Sequence, residues 1–167
     1  PLGEIVLWFR DAHTNILQLA ESLSEEQLRW QPHSQANSIA FQLWHLARSA
    51  DYVHARLSDA TPELRQRLGA RQQLWLAAGY AGKWGLDPAT LGIEEMGWEM
   101  TPDDAAHLLF PGKDALLDYV RQSFVAEEQT LDALDDEQYQ AFRLHDWAPN
   151  QTVGNFLMSH FVHEREH

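Results

Sequence analysis

The chain has 167 residues, 44% of them hydrophobic, and this size and composition predict a single globular domain over residues 1–167. The formal net charge of −13 at pH 7 argues against a nucleic-acid partner, because binding a phosphate backbone requires clustered Lys and Arg. The sequence contains no cysteine, which excludes disulfides, thiolate metal sites and a cysteine nucleophile.

The first half of the chain predicts two long helices. Residues 2–23 have apolar side chains three and four positions apart, as in an amphipathic helix. Residues 24–27, with the sequence Ser-Glu-Glu-Gln, have the spacing of a capping box and predict a short helical turn. Asn37 and Ser38 are natural N-cap residues, so a second long helix is expected from there to about Leu57.

The second half predicts two more long helices after an irregular segment. Residues 58–111 are rich in glycine and aromatic residues and predict a folded excursion over a cleft rather than a loose linker. Within this segment, Thr101 and Pro102 should begin a short helix that ends near residue 109. Long helices are expected over residues 112–134 and 151–167, and strand signals are nearly absent. The predicted fold is all-α: an antiparallel four-helix bundle with a long aromatic- and glycine-rich crossover between the second and third long helices.

Three of the nine histidines lie close together on the predicted fourth helix. His163 and His167 are four residues apart, so their imidazoles lie about 40° apart around the helix axis and can converge on one metal ion. His160 and His163 form a less favourable pair, about 60° apart. The pattern therefore favours His163 and His167 as a metal-binding pair, with His160 as a competing ligand.

A third ligand would come from the second helix, which offers His45 and His54. The two are nine residues apart and point to nearly opposite faces, so only one of them can join the pair. The apolar stripe that includes Leu46, Ala50 and Val53 has His54 near its centre. Periodicity alone therefore favours His54.

Two motifs resemble those of the DinB-like superfamily of small bacterial four-helix proteins. They are the Trp-His-Leu-Ala sequence at residues 44–47, which follows Asn-Ser-Ile at 37–39, and the His-x-x-x-His pair at the end of the chain. Residues 75–85 are also similar to the crossover of one branch of that family. In the family, a histidine of the second helix joins the pair on the last helix. The resemblance therefore implies that the metal ligands are His45, His163 and His167.

The resemblance also implies a function. Three neutral imidazoles with an open fourth position suit Zn²⁺ or Ni²⁺, and such a centre activates a bound water or thiol. A metal-dependent enzyme of thiol S-transferase or hydrolase-like type is the expectation, with a small-molecule substrate such as a low-molecular-weight thiol (bacillithiol or mycothiol). The alternative is a non-catalytic metal-binding bundle with a stress-response or interaction role; a homodimer is compatible with both. Neither a membrane span nor a secretory signal is predicted, so the expected location is cytoplasmic.

The remaining candidate residues have simpler interpretations. The tryptophans are expected in the core and the crossover, and Trp75 and Trp84 are the two that could instead line a substrate cleft. Glu164 and Glu166 are interpreted either as partners that orient a ligating imidazole or as exposed residues. Four further histidines are predicted to be surface or loop residues: His13, His33, His107 and His145.

Overall fold

The computed structural model describes residues 2–141 and 151–167, and His145 lies outside these ranges. The described residues are mainly helical, and Ile93 and Trp98 form an isolated β-bridge. The α-helices, in chain order, are α1 (Leu2–Ser22), α2 (Glu25–Leu28), α3 (Ile39–Leu57), α4 (Pro62–Leu68), α5 (Leu74–Ala78), α6 (Tyr80–Lys83), α7 (Pro102–Ala106), α8 (Lys113–Asp132), α9 (Asp136–Gln140) and α10 (Val153–Glu166). The prediction of an all-α fold is confirmed.

The local capping signals explain where the helices begin. The Ser24 side chain accepts a hydrogen bond from the backbone N–H of Gln27, whose own side chain accepts from the backbone of Ser24, which completes the predicted capping box. Ser38 caps α3 by accepting from the N–H of Phe41, and Thr152 caps α10 in the same way. The helix predicted to begin at Pro102 does form, but it ends at Ala106 rather than near residue 109.

Side-chain contacts define how the long helices run relative to one another. Pairing of Arg10 with Asp132 and of Arg121 with Glu21 makes α1 and α8 antiparallel. Hydrogen bonds from Tyr119 to Asp51, and from His54 to residues 126 and 130, make α3 and α8 parallel. Contacts of Phe9 with His160 and of His13 with Glu164 make α10 parallel to α1. Contacts of His45 with His163 and of Gln42 with His167 make α10 antiparallel to α3. The parallel pairs are allowed because the chain takes more than fifty residues to pass from α3 to α8.

The segment between α3 and α8 packs its aromatic residues onto the long helices. Trp75 is fully buried and contacts Trp44 of α3 and Tyr119 of α8. Trp84 packs edge-on against both Trp75 and Tyr119. The two tryptophans are therefore packing residues, as the simpler interpretation predicted. None of the helices within the described ranges is long and apolar enough to cross a membrane.

Candidate metal centre

Three histidines from two helices converge near the C-terminal end of α10. Each of His45, His163 and His167 offers one ring nitrogen, and these nitrogens all lie within 4.8 Å of one another. The Nε2 atoms of His45 and His163 are 3.2 Å apart. In a tetrahedral zinc site, two nitrogens at bond lengths of about 2.0–2.1 Å are separated by about 3.3–3.4 Å. The spacing therefore fits two ligands of one ion, and metal binding by the three side chains stays a prediction.

Hydrogen bonds at the outer ring nitrogens orient two of the three imidazoles. His45 Nδ1 lies 2.6 Å from the backbone carbonyl of Met96, which can only accept, so Nδ1 carries the proton and Nε2 presents a lone pair. His167 Nδ1 lies 2.7 Å from Oε1 of Gln42, and the same reasoning leaves its Nε2 free. Histidines that bind metal are commonly held in this way by an oxygen acceptor on the other ring nitrogen.

The carbonyl that orients His45 belongs to a loop held by a buried arginine. Arg48 is fully buried and donates to the carbonyls of Glu94 and Glu95, both at 2.9 Å. These two glutamates have positive φ angles of 51° and 56°, which are uncommon for residues other than glycine. Arg48 lies one helical turn after His45 on α3, so the same helix carries the candidate ligand and the anchor of its hydrogen-bond acceptor.

Gly97 allows the loop to approach the candidate ligand. Its φ is +84°, and a Cβ at this position would lie 3.1 Å from His45 Nδ1. We expect Gly97→Ala to lower the free energy of unfolding by about 1–2 kcal/mol, the usual cost of the left-handed conformation for other residues, and to weaken metal binding by displacing Met96. Gly82→Ala is the matched control, because its Cβ would meet nothing within 4 Å. Equal effects of the two substitutions on thermal unfolding and zinc affinity would contradict this role.

Burial keeps the three imidazoles neutral. Burial lowers the pKa of His45 to about 4, and the neighbouring histidines contribute. Burial also lowers the pKa values of His163 and His167. All three side chains are therefore neutral at pH 7, the protonation state that a metal ion requires.

A groove runs beside the centre between α1, α3 and α10. Its volume is about 570 Å³, and His167 and Gln42 are among the residues that line it. Most of its wall is apolar, and Trp8 and Leu19 of α1 remain exposed there. A small molecule in the groove would therefore lie next to His167, the most exposed of the three histidines.

The other two candidate ligands, His54 and His160, contact residues outside the three-histidine centre. His54, which periodicity favoured, faces α8, where its Nδ1 contacts the carbonyl of Ala126 at 3.0 Å and the hydroxyl of Thr130 at 2.8 Å. His160 has Nε2 within 3.2 Å of Glu127 and Glu164, so it faces a different cluster from that of His163. The structure thus brings His45 rather than His54 to the pair, as the resemblance implied.

One of the surface predictions is wrong. His13 is only 2% exposed, because it points from α1 into the core between α8 and α10, where it meets Glu127 and Glu164. His107, by contrast, is exposed as predicted. Burial opposes protonation of His13 and His160, but the nearby carboxylates outweigh burial and raise both pKa values. Glu164 is buried in the same cluster, whereas Glu166 is exposed.

The sequence carried a signal for this second cluster. His13 follows Phe9 by four positions, and Glu127 lies between Phe124 and Leu131 at helical spacing. Each is therefore an ionisable residue on an apolar stripe, a position where a charge is costly unless it is paired or bound to metal. His160 and Glu164 add an i, i+4 pair on the last helix.

Comparisons with known proteins agree with the resemblance. A solved structure, that of a conserved protein from Enterococcus faecalis, is similar with a TM-score of 0.75, covering 97% of this chain and 87% of that chain at 23% identity. That similarity supports the fold alone. The comparison with curated proteins found no match. A family model described as the DinB superfamily matches residues 9–167, and the chain therefore belongs to the DinB superfamily.

Proposed function

We propose that the protein is a metal-dependent enzyme of thiol S-transferase or hydrolase-like type that binds one Zn²⁺ or Ni²⁺ on His45, His163 and His167. The observation that carries this proposal is the convergence of three neutral imidazoles, two of them oriented by oxygen acceptors, beside an open groove. When bound, such an ion lowers the pKa of a coordinated water or thiol and polarises a carbonyl. With no cysteine in the chain, a reacting thiol would come from the substrate.

The proposed fold is a four-helix bundle of α1, α3, α8 and α10, with residues 58–112 as its long crossover. The mutual contacts of these four helices and their antiparallel and parallel pairs support it. In this arrangement, α3 and α10 bring all three candidate ligands to one end of the bundle.

The test of turnover compares metal-free, Zn²⁺-loaded and Ni²⁺-loaded protein. Each form is incubated with bacillithiol or mycothiol and a fluorogenic electrophile, and S-conjugate formation is measured. We expect conjugation only with metal, and its loss in His163→Ala but not in His54→Ala. Equal rates with and without metal, for both thiols and for a panel of ester and amide substrates, would contradict an enzymatic role.

Metal affinity should depend on pH through the ligand imidazoles. Because the folded-state pKa values lie below the ordinary value of about 6.5, the imidazoles stay neutral as the pH falls through that value. We expect zinc affinity to stay nearly constant from pH 8 through about 6.5 and to fall only at lower pH, where protons begin to compete for the same nitrogens. Competition with a chelator at several pH values measures this. An affinity that already falls steeply between pH 8 and pH 7 would contradict it.

A second candidate role is metal-dependent interaction or dimerisation without turnover. The exposed side chains of Trp8 and Leu19 on the groove wall favour it, because large apolar groups in solvent often mark interaction surfaces. Light scattering with and without metal tests this role. A shift from monomer to dimer on metal binding, together with no conjugation or hydrolysis, would favour it over the enzyme.

A further inference from the structure

The core contains four ionisable side chains with unsatisfied polar atoms. Glu127 is fully buried, and His13 and Glu164 are 2% and 3% exposed. Among the described residues, no hydrogen-bond partner exists for Nε2 of His13 and His160 or for the carboxylate oxygens of Glu127 and Glu164. Buried charges in proteins are paired through hydrogen bonds or bind metal. The two carboxylates therefore need positive charge beside them, either from protonated imidazoles or from a bound metal ion.

The spacing of the atoms fits metal ligands better than hydrogen bonds. His13 Nε2 lies 3.4 Å from Glu127 Oε2 and 3.5 Å from Glu164 Oε1. His160 Nε2 lies 3.2 Å from an oxygen of each of the same two carboxylates. Charge-assisted hydrogen bonds are shorter, at about 2.7–2.9 Å. Nitrogen and oxygen ligands of tetrahedral zinc, with bonds of about 2.0–2.2 Å, are separated by about 3.3–3.5 Å.

A true hydrogen bond of His13 sets its tautomer. Its Nδ1 lies 2.7 Å from Glu128 Oε1, and an ionised carboxylate can only accept. Nδ1 therefore carries a proton, and Nε2 is the nitrogen directed at Glu127 and Glu164. Arg10 lies 3.7 Å from the other oxygen of Glu128 and compensates its charge. A carboxylate behind the ligating histidine is a common arrangement in zinc sites.

Two aromatic rings pack against the imidazoles of the cluster. Phe124 stacks on His13 with ring centroids 3.9 Å apart, and Phe9 stacks on His160 at 5.9 Å. These rings limit rotation of both histidines and exclude water from that side. Glu164 also lines the groove beside α10, so the groove lies next to the cluster.

We propose that the cluster binds a second divalent metal ion, with His13, Glu127 and Glu164 as ligands and His160 beside the two carboxylates. The three named first have donor atoms within 4.8 Å of one another, and they come from α1, α8 and α10. One imidazole and two carboxylates suit Zn²⁺, Mn²⁺ or Fe²⁺, and the two carboxylates balance the charge of the ion. The site lies beside the three-histidine centre: α10 contributes His160 and Glu164 to this cluster and carries His163 of the other.

The experiment counts Zn²⁺ bound to the full chain by equilibrium dialysis and elemental analysis. Wild-type protein should bind two equivalents, and Glu127→Gln, which keeps the size of the side chain but removes its charge, should bind one. His163→Ala should also bind one, through loss of the other ion. Asp114→Asn is the matched control, because it removes one carboxylate from an exposed position of α8 and should leave both ions bound.

The pattern of loss separates the two sites. If the wild-type protein binds only one equivalent of zinc and His163→Ala binds none, this inference is overturned and the three-histidine centre is supported. One equivalent lost in Glu127→Gln but not in His163→Ala would support the inference and contradict the other centre. If Glu127→Gln does not fold, ¹⁵N NMR of zinc-saturated wild-type protein decides. A spectrum in which Nε2 of His13 is bound to the metal would support the site. A spectrum in which both nitrogens of this ring carry protons would overturn it, because protons would then neutralise the carboxylates.

Discussion

Replacing His163 with alanine is expected to remove one bound zinc ion and to weaken binding at the three-histidine centre by more than about 100-fold. Loss of an outer-shell partner alone commonly costs about 10–100-fold in metal affinity, and loss of a direct ligand should cost more. His163 Nε2 lies 3.2 Å from that of His45, so its imidazole cannot be replaced by a neighbour without rearrangement. His45→Ala and His167→Ala should have effects of the same order.

Isothermal titration with Zn²⁺ measures these affinities, and His54→Ala is the matched control. His54 lies on the same helix as His45, but its ring nitrogen is held by Ala126 and Thr130 on α8, so its loss should leave the affinity within a few-fold. Retained zinc binding in both His163→Ala and His167→Ala would show that these two histidines are not the metal ligands. Loss in His54→Ala with retention in His45→Ala would show that periodicity identified the ligand correctly and the family motif did not.

Replacing Arg48 with methionine is expected to lower the free energy of unfolding by about 3–5 kcal/mol, the usual cost of leaving a buried charge without its partner. Arg48 and Asp51 are both fully buried and 3.0 Å apart. Asp51 also accepts from the backbone N–H groups of Leu74 and Trp75 and from the hydroxyl of Tyr119. The pair therefore ties α3 to α8 and to the start of α5.

Urea denaturation followed by circular dichroism measures this loss, with Arg56→Met as the control. Arg56 is also on α3 and pairs with Glu94, but it is exposed, so its removal should cost about 0–1 kcal/mol. Similar losses for the two variants would contradict the role of the buried pair. Arg48→Met should also weaken zinc binding, because it releases the loop whose Met96 carbonyl orients His45.

Signals within single helices were sufficient for much of the fold. Apolar spacing and N-cap residues predicted the four long helices to within two residues at most ends, because helix formation and capping depend on neighbours a few positions away. The pairing of His163 with His167 has the same origin, since residues four apart share a helix face. The segment between α3 and α8 was less predictable, because its short helices depend on aromatic contacts with distant parts of the chain.

The sequence by itself therefore determined an all-α chain and the His-x-x-x-His pair on the last helix, and the family motif pointed to His45. Only the tertiary structure decided which helix faces meet. The apolar stripe of α3 favoured His54 because a stripe identifies one buried face, whereas α3 is enclosed by α8 on one side and by the loop around Met96 and α10 on the other. Burial of His13 beside Glu127 and Glu164 was decided in the same way. No helix can satisfy these polar groups alone, so their environment exists only once three helices have packed together.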